Sequence, residues 1–208
     1  MSTQMSVTRA LAEVKMLGKR IEKRISEFVP VVSCTGKQAP AGFDSVEEFE
    51  KHTRSEYAAI LDMLARRNAI KAQVIKSNAA TEVEIAGKPM SVAEAIDMKS
   101  SIQHNKLLAN RMSRMAAFVE DKITILEREA DAKLQNQLTV LLGSDRKNDE
   151  SERRSVEDAF KERHWPKLRD PLKVRTKIEE QNSFIDEFTA NVDFVLSESN
   201  ARTMIEID

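Results

Sequence analysis

The sequence predicts a mainly α-helical protein: an elongated antiparallel bundle of long helices, partly a coiled coil, with a small β-hairpin element. The first observation behind this fold class is that residues 91–142 contain no glycine or proline and begin with the capping box Ser91-Val92-Ala93-Glu94. The second is composition, because 208 residues include only five glycines and five prolines while 32% are charged, as is typical of long helices. The third is that several segments have apolar residues at helical spacing. The helices that they form must pack on one another through these apolar faces to be stable.

The N-terminal part is predicted to contain one helix and an arm. The helix covers residues 6–27, with Ser6 or Thr8 as its N-cap. Its apolar residues are spaced by threes and fours: Leu11, Val14, Leu17, Ile21, Ile25 and Phe28. Residues 28–44 are expected to form an extended arm and a loop, because Pro30 interrupts a β-branched run and further breakers follow it.

A hairpin is predicted between the next two helices. The second helix covers residues 45–78 and opens with the capping box Ser45-Val46-Glu47-Glu48. Residues 81–90 alternate polar and apolar side chains around Ala86-Gly87, which predicts a β-hairpin. The long helix 91–142 follows, and Gly143 is suited to the position just past its end.

The C-terminal part is predicted to contain a charged loop at 143–154, a short helix at 155–164 and a heptad helix at 171–199. The apolar heptad positions of the last helix are Val174, Ile178, Ile185, Phe188, Val192 and Val195, and Gln181 fills the remaining position. Residues 203–207 alternate again and are expected to form a terminal strand that pairs with the hairpin strand 82–85 of the same or a neighbouring subunit. We expect the whole chain, residues 1–208, to form a single elongated domain.

Composition excludes several classes of function. The 33 basic and 34 acidic residues nearly cancel, so no overall field attracts nucleic acid or an anionic membrane. No apolar run is long enough to span a membrane, and the N-terminus lacks the pattern of a signal peptide. The single cysteine, Cys34, excludes a disulfide framework within one chain.

The sequence shows no pattern of catalytic or metal-binding residues. His52, His104 and His164 are far apart, and none has a partner at the spacing of a metal site. Cys34 lies near Lys37, but no histidine accompanies it as a base. We therefore expect no enzyme activity, no cofactor and no metal.

The segment 161–177 is the one local charge imbalance. Its only acidic residues are Glu162 and Asp170, whereas its basic residues are Lys161, Arg163, Lys167, Arg169, Lys173, Arg175 and Lys177. With Trp165 among them, they could bind a nucleic-acid strand through phosphate contacts and base stacking. The alternative is a helix connection whose tryptophan packs inward, and the neutral whole chain favours it, so nucleic acid is not the expected partner.

Three stretches resemble small helical proteins from the structural-gene modules of tailed bacteriophages. They are residues 5–21, residues 86–96 around the hairpin-to-helix joint, and residues 185–201 with the tail Ile205-Glu206-Ile207. The middle stretch is also similar to a little-characterised bacterial helical family. The resemblance implies a virion component of the neck, collar or tail, made in the host cytoplasm, with other virion structural proteins as partners.

We expect a non-enzymatic assembly protein that forms homo-oligomers through its C-terminal part. The predicted contact residues are Ile178, Ile185, Phe188, Val192, Val195, Ile205 and Ile207. The alternatives are a soluble helical adaptor or scaffold of a bacterium and, less favoured, a protein that contacts nucleic acid through residues 161–177. An oligomer would support assembly, whereas a monomer would favour the adaptor.

Overall fold

A computed structural model describes residues 3–36, 38–142 and 150–207. Within these ranges the elements are β1 (Thr3–Ser6), α1 (Val7–Glu27), α2 (Val46–Ala80), β2 (Glu82–Ile85), β3 (Lys88–Ser91), α3 (Val92–Leu142), α4 (Glu150–His164), α5 (Val174–Arg202) and β4 (Met204–Ile207). The strands form two antiparallel sheets of two strands each, β1–β4 and β2–β3. The predicted fold class, mainly α-helical with a small β element, is confirmed. None of the described helices has the length and apolar character that crossing a membrane requires.

Contacts within the chain define two compact units. Unit 1 comprises Met1–Ser100 and Glu187–Asp208, and unit 2 comprises Ser101–Asp186. Helices α3 and α5 each contribute one part to each unit. The single domain expected over residues 1–208 stays a prediction.

In unit 1, α1 and α2 pack antiparallel. The Arg24 guanidinium lies 3.2 Å from the Glu56 carboxylate, and Nε of Arg66 lies 3.1 Å from Oε1 of Glu13. The C-terminal part of α1 therefore lies beside the N-terminal part of α2, as in an antiparallel pair. Their apolar faces join both terminal strands in one core: Met5, Val7, Ala10, Leu17, Ile21, Ile70, Val74, Ile205 and Ile207. Residues 28–36 and 38–44 form neither helix nor strand, in agreement with the predicted arm and loop.

The terminal strand pairs with a different partner from the one that the sequence predicted. β4 pairs with β1, with Thr3 opposite Ile207 and Ser6 opposite Met204, so the expected pairing with strand 82–85 is wrong. The physical reason is burial, because this pairing brings the apolar residues of both strands onto the α1–α2 core. The backbone amide of Val7 also donates to the carbonyl of Thr203 at 2.9 Å, which extends the connection into α1.

The predicted hairpin and its helix cap are confirmed. β2 and β3 are joined by Ala86 and Gly87, whose φ values of 53° and 67° are those of a type I′ turn. At the start of α3, the Ser91 amide donates to Oε2 of Glu94 at 2.7 Å, and the Glu94 amide donates to the Ser91 hydroxyl at 3.1 Å. The first of these bonds is the main reason that the pKa of Glu94 lies below its ordinary value. Gly143, the predicted residue just past α3, lies outside the described residues.

In unit 2, α4 begins earlier than predicted. Residues 150–154 were expected to belong to a charged loop, but they form the first turn of α4, so the predicted start at 155 is wrong. The reason is that the opposite charges are spaced for a helix: Arg154 lies 3.4 Å from Glu150, and Arg153 lies 2.9 Å from Glu157. Residues 143–149 of the predicted loop lie outside the described residues.

The last helix begins later than predicted. Residues 171–173 precede α5, because the Asp170 carboxylate accepts from the amides of Leu172 at 3.3 Å and Val174 at 2.8 Å and so closes a turn. The predicted start at 171 is therefore wrong. Within unit 2, α5 runs antiparallel to α3, since the Asn105 side chain donates to Gln181 at 3.2 Å and Arg175 lies 2.7 Å from Glu120.

Candidate assembly surface

The predicted contact residues lie largely inside the single chain. Ile185, Phe188, Val192, Ile205 and Ile207 are buried, whereas Ile178 and Val195 are partly buried. Phe188 and Ile207 each expose only 1% of their surface. The hypothesis that these side chains contact another copy stays a prediction, and it requires them to leave the core of one chain.

A different apolar row lies exposed on the part of α3 that belongs to unit 2. Leu107, Phe118 and Ile125 expose 62%, 61% and 56% of their surfaces. Their separations are about three and two helical turns, so they lie on one line along the helix. Ala109 and Leu134, on the opposite side of α3, are buried, so this helix has apolar residues on two faces and only one of them is covered within unit 2.

The exposed row belongs to a heptad pattern. Alternating steps of four and three residues connect the positions Leu107, Arg111, Arg114, Phe118, Asp121 and Ile125, which we call the α3 seam. All six side chains are exposed. Within the described part of the chain, none of the three charged members forms an ion pair. The α3 seam thus has the spacing of a coiled-coil contact, but no helix among the described residues of unit 2 covers it.

The α3 seam is complementary to itself in the antiparallel direction. If two copies of the helix cross at Ala116, Leu107 lies opposite Ile125 of the second copy, and Arg111 lies opposite Asp121. Arg114 then lies opposite Phe118, where a guanidinium can stack on the aromatic face. Each position therefore meets a residue of matching chemistry, and two-fold symmetry repeats every contact.

Among the described residues, the reactive side chains do not form a cluster that could hold a metal ion. In the ranges that the structure describes, no group of three or more His, Cys, Asp or Glu side chains could hold a metal ion. The rings of His52 and His164 pack on Phe43 and Phe160, at centroid distances of 5.4 Å and 4.9 Å, and Cys34 is an exposed free thiol. These contacts are packing contacts and give no acid, base or nucleophile with a partner.

The basic segment forms a connection between helices. Trp165 packs against the core cluster of Ala130, Leu134, Leu138 and Phe160, and the Lys161 ammonium lies 5.9 Å from its ring centroid. Arg175 bonds to Glu120, which raises the pKa of the guanidinium above its ordinary value. The tryptophan ring is therefore engaged inside unit 2.

Periodicity alone did not single out the α3 seam, because half of its positions are charged and the stripe through Met112, Val119 and Leu134 is more apolar. The detectable signal was the spacing of Leu107, Phe118 and Ile125, with charges of opposite sign between them. A search for heptads that allows complementary charges would have found it.

Known proteins add no residue to this surface. Comparison with protein families, with curated proteins and with solved structures finds no match for this chain. The resemblance of residues 5–21, 86–96 and 185–207 to phage structural proteins stays a prediction.

Proposed function

We propose that this protein is a non-enzymatic assembly protein whose copies associate through the α3 seam as an antiparallel pair. The observation that carries the proposal is the exposure of Leu107, Phe118 and Ile125 in one row on a helix whose other face is already packed. Exposed apolar residues at heptad spacing are the pattern of a contact between two helices.

The expected energies agree with self-association. Fully burying an exposed large apolar side chain contributes about 1.5–3 kcal/mol. Leu107, Phe118 and Ile125 still expose 62%, 61% and 56% of their surfaces, so a two-fold contact gains a part of that amount from each of the three residues in both copies. Association itself costs about 4–15 kcal/mol in lost freedom of motion. The apolar rows offset this cost, and the paired charges of Arg111 and Asp121 select the antiparallel direction.

As the setting of this assembly, we propose the virion of a tailed bacteriophage, at its neck, collar or tail. The support is the resemblance of three stretches of the chain to small helical phage structural proteins. In this setting the protein is made in the host cytoplasm, and its further partners are other virion structural proteins. A bacterial adaptor or scaffold is the alternative if the isolated protein is monomeric.

Replacing Ile125 by aspartate is expected to dissociate the assembly, because it places a charge against the apolar Leu107 of the second copy, where no basic residue faces it. Light scattering at two protein concentrations measures the mass of the wild type and of Ile125→Asp. The matched control is Phe194→Asp, since Phe194 is exposed to 69% but lies on α5 in unit 1. The control should keep the wild-type mass, and circular dichroism should show the same helix content in all three proteins.

Two outcomes would contradict the proposal. A wild-type protein that is monomeric at both concentrations would remove self-association and favour the adaptor. An Ile125→Asp protein with the wild-type oligomer mass would show that the copies meet through another surface.

A further inference from the structure

Unit 2 contains an apolar groove beside the α3 seam. The groove lies between α3 and the segment that connects α4 to α5, and its cavity volume is about 340 Å³. Its apolar lining includes Met112, Met115, Ala116 and Val119 of α3 and Leu168 and Leu172 of the connecting segment. Leu168 and Leu172 are exposed to 55% and 62%, so two leucines of the connecting segment are left uncovered at the groove.

The wall of the groove is held in place by local contacts. The Asp170 carboxylate accepts from the amides of Leu172 and Val174. Arg175 donates to Oε1 of Glu120 through Nε at 3.0 Å and Nη2 at 2.7 Å, which ties the wall to α3. These bonds join residues of the chain itself, so they hold the groove wall in place, and a wall held in this way lowers the ordering cost of binding.

The charge around the groove is positive. Arg169 lines it, Lys167 and Lys173 lie in the same connecting segment, and none of these three has an acidic partner among the described residues. Arg111 also lines the groove, but in the proposed assembly it lies opposite Asp121 of the second copy. The two acidic residues of the lining, Glu120 and Asp170, are already engaged by the bonds given above. The groove therefore combines an apolar floor with unpaired cations, and carboxylates are the groups that complement such cations.

We propose that this groove binds an acidic peptide segment of a partner protein, which inserts one or two large apolar side chains between flanking carboxylates. The volume lies at the low end of ligand pockets, about 300–1,000 Å³, and so suits anchoring side chains better than a cofactor. A nucleic-acid strand would need an exposed aromatic platform for its bases, and Trp165 is packed on the Phe160 cluster instead. This binding function is separate from self-association through the α3 seam.

The probe is a fluorescein-labelled synthetic peptide that carries a leucine–phenylalanine pair between glutamates, and fluorescence anisotropy measures its binding to the full-length protein. We expect saturable binding that Leu172→Asp and Arg169→Glu each weaken about tenfold or more. The matched controls are Phe194→Asp, an exposed apolar residue in unit 1, and Arg163→Glu, a basic residue of α4 outside the groove lining. Both controls should bind like the wild type, and so should Ile125→Asp, which lies outside the groove lining and keeps this test independent of self-association.

Three results would overturn the proposal. The first is no saturable binding of the peptide below about 1 mM. The second is binding that Leu172→Asp and Arg169→Glu leave unchanged in proteins with wild-type helix content. The third is tighter binding of a labelled single-stranded oligonucleotide that Arg163→Glu weakens as much as Arg169→Glu does, which would assign the basic segment to nucleic acid.

Discussion

Replacing Phe188 by alanine is expected to lower the free energy of unfolding by about 3–5 kcal/mol, the range for a buried phenylalanine whose removal leaves a cavity. The side chain is 1% exposed and lies on α5 in unit 1. Urea denaturation followed by circular dichroism measures the change. The same helix offers a matched control, since Phe194→Ala removes an equal side chain that is 69% exposed and should change stability by less than about 0.5 kcal/mol.

This pair of variants decides whether the apolar residues of α5 stabilise one chain or join two. If Phe188 contributes to the core of the single chain, Phe188→Ala unfolds at a lower urea concentration, whatever the protein concentration. A Phe188→Ala protein with wild-type stability and a lower oligomer mass would contradict its burial within one chain. Such a result would support the interface that the heptad of α5 predicts.

Replacing Ile205 by alanine is expected to cost about 2–5 kcal/mol. Ile205 lies opposite Met5 in the β1–β4 pair, and both side chains belong to the core of α1 and α2. The neighbouring Met204 is exposed to 51% because side chains alternate along a strand. Met204→Ala should therefore stay within about 0.5 kcal/mol of the wild type in the same urea experiment. Equal losses in the two variants would contradict this alternation.

The helices were predictable because their signals are local. The capping residues Ser6, Ser45 and Ser91 each accept a bond from an amide of the following turn. The hairpin was equally local, since Ala86 and Gly87 connect adjacent strands. In these places, a few neighbouring residues determine the structure, and no distant contact is needed to recognise it.

Contacts between distant segments were not predictable in the same way. β1 holds a single buried residue, Met5, so alternation could not identify it as the partner of β4. The heptads of α5 and of the α3 seam have the same period, but α5 buries Phe188 and Val192 whereas α3 exposes Phe118. Periodicity shows that a helix has an apolar face, and only the packing of the other elements decides which face stays uncovered.

The charge pair of the α3 seam allows the most direct test of the proposed assembly. In the antiparallel pair, Arg111 lies opposite Asp121 of the second copy, so Arg111→Asp and Asp121→Arg each bring like charges together. The variant with both substitutions restores the opposite charges in exchanged positions. Such a cycle isolates the coupling between the two residues from their separate effects.

Sedimentation equilibrium of the wild type, the two single variants and the double variant is therefore the decisive measurement. We expect each single variant to associate at least about tenfold more weakly than the wild type and the double variant to recover most of the wild-type affinity. A double variant no stronger than the single variants, or single variants that associate like the wild type, would contradict the antiparallel α3 seam.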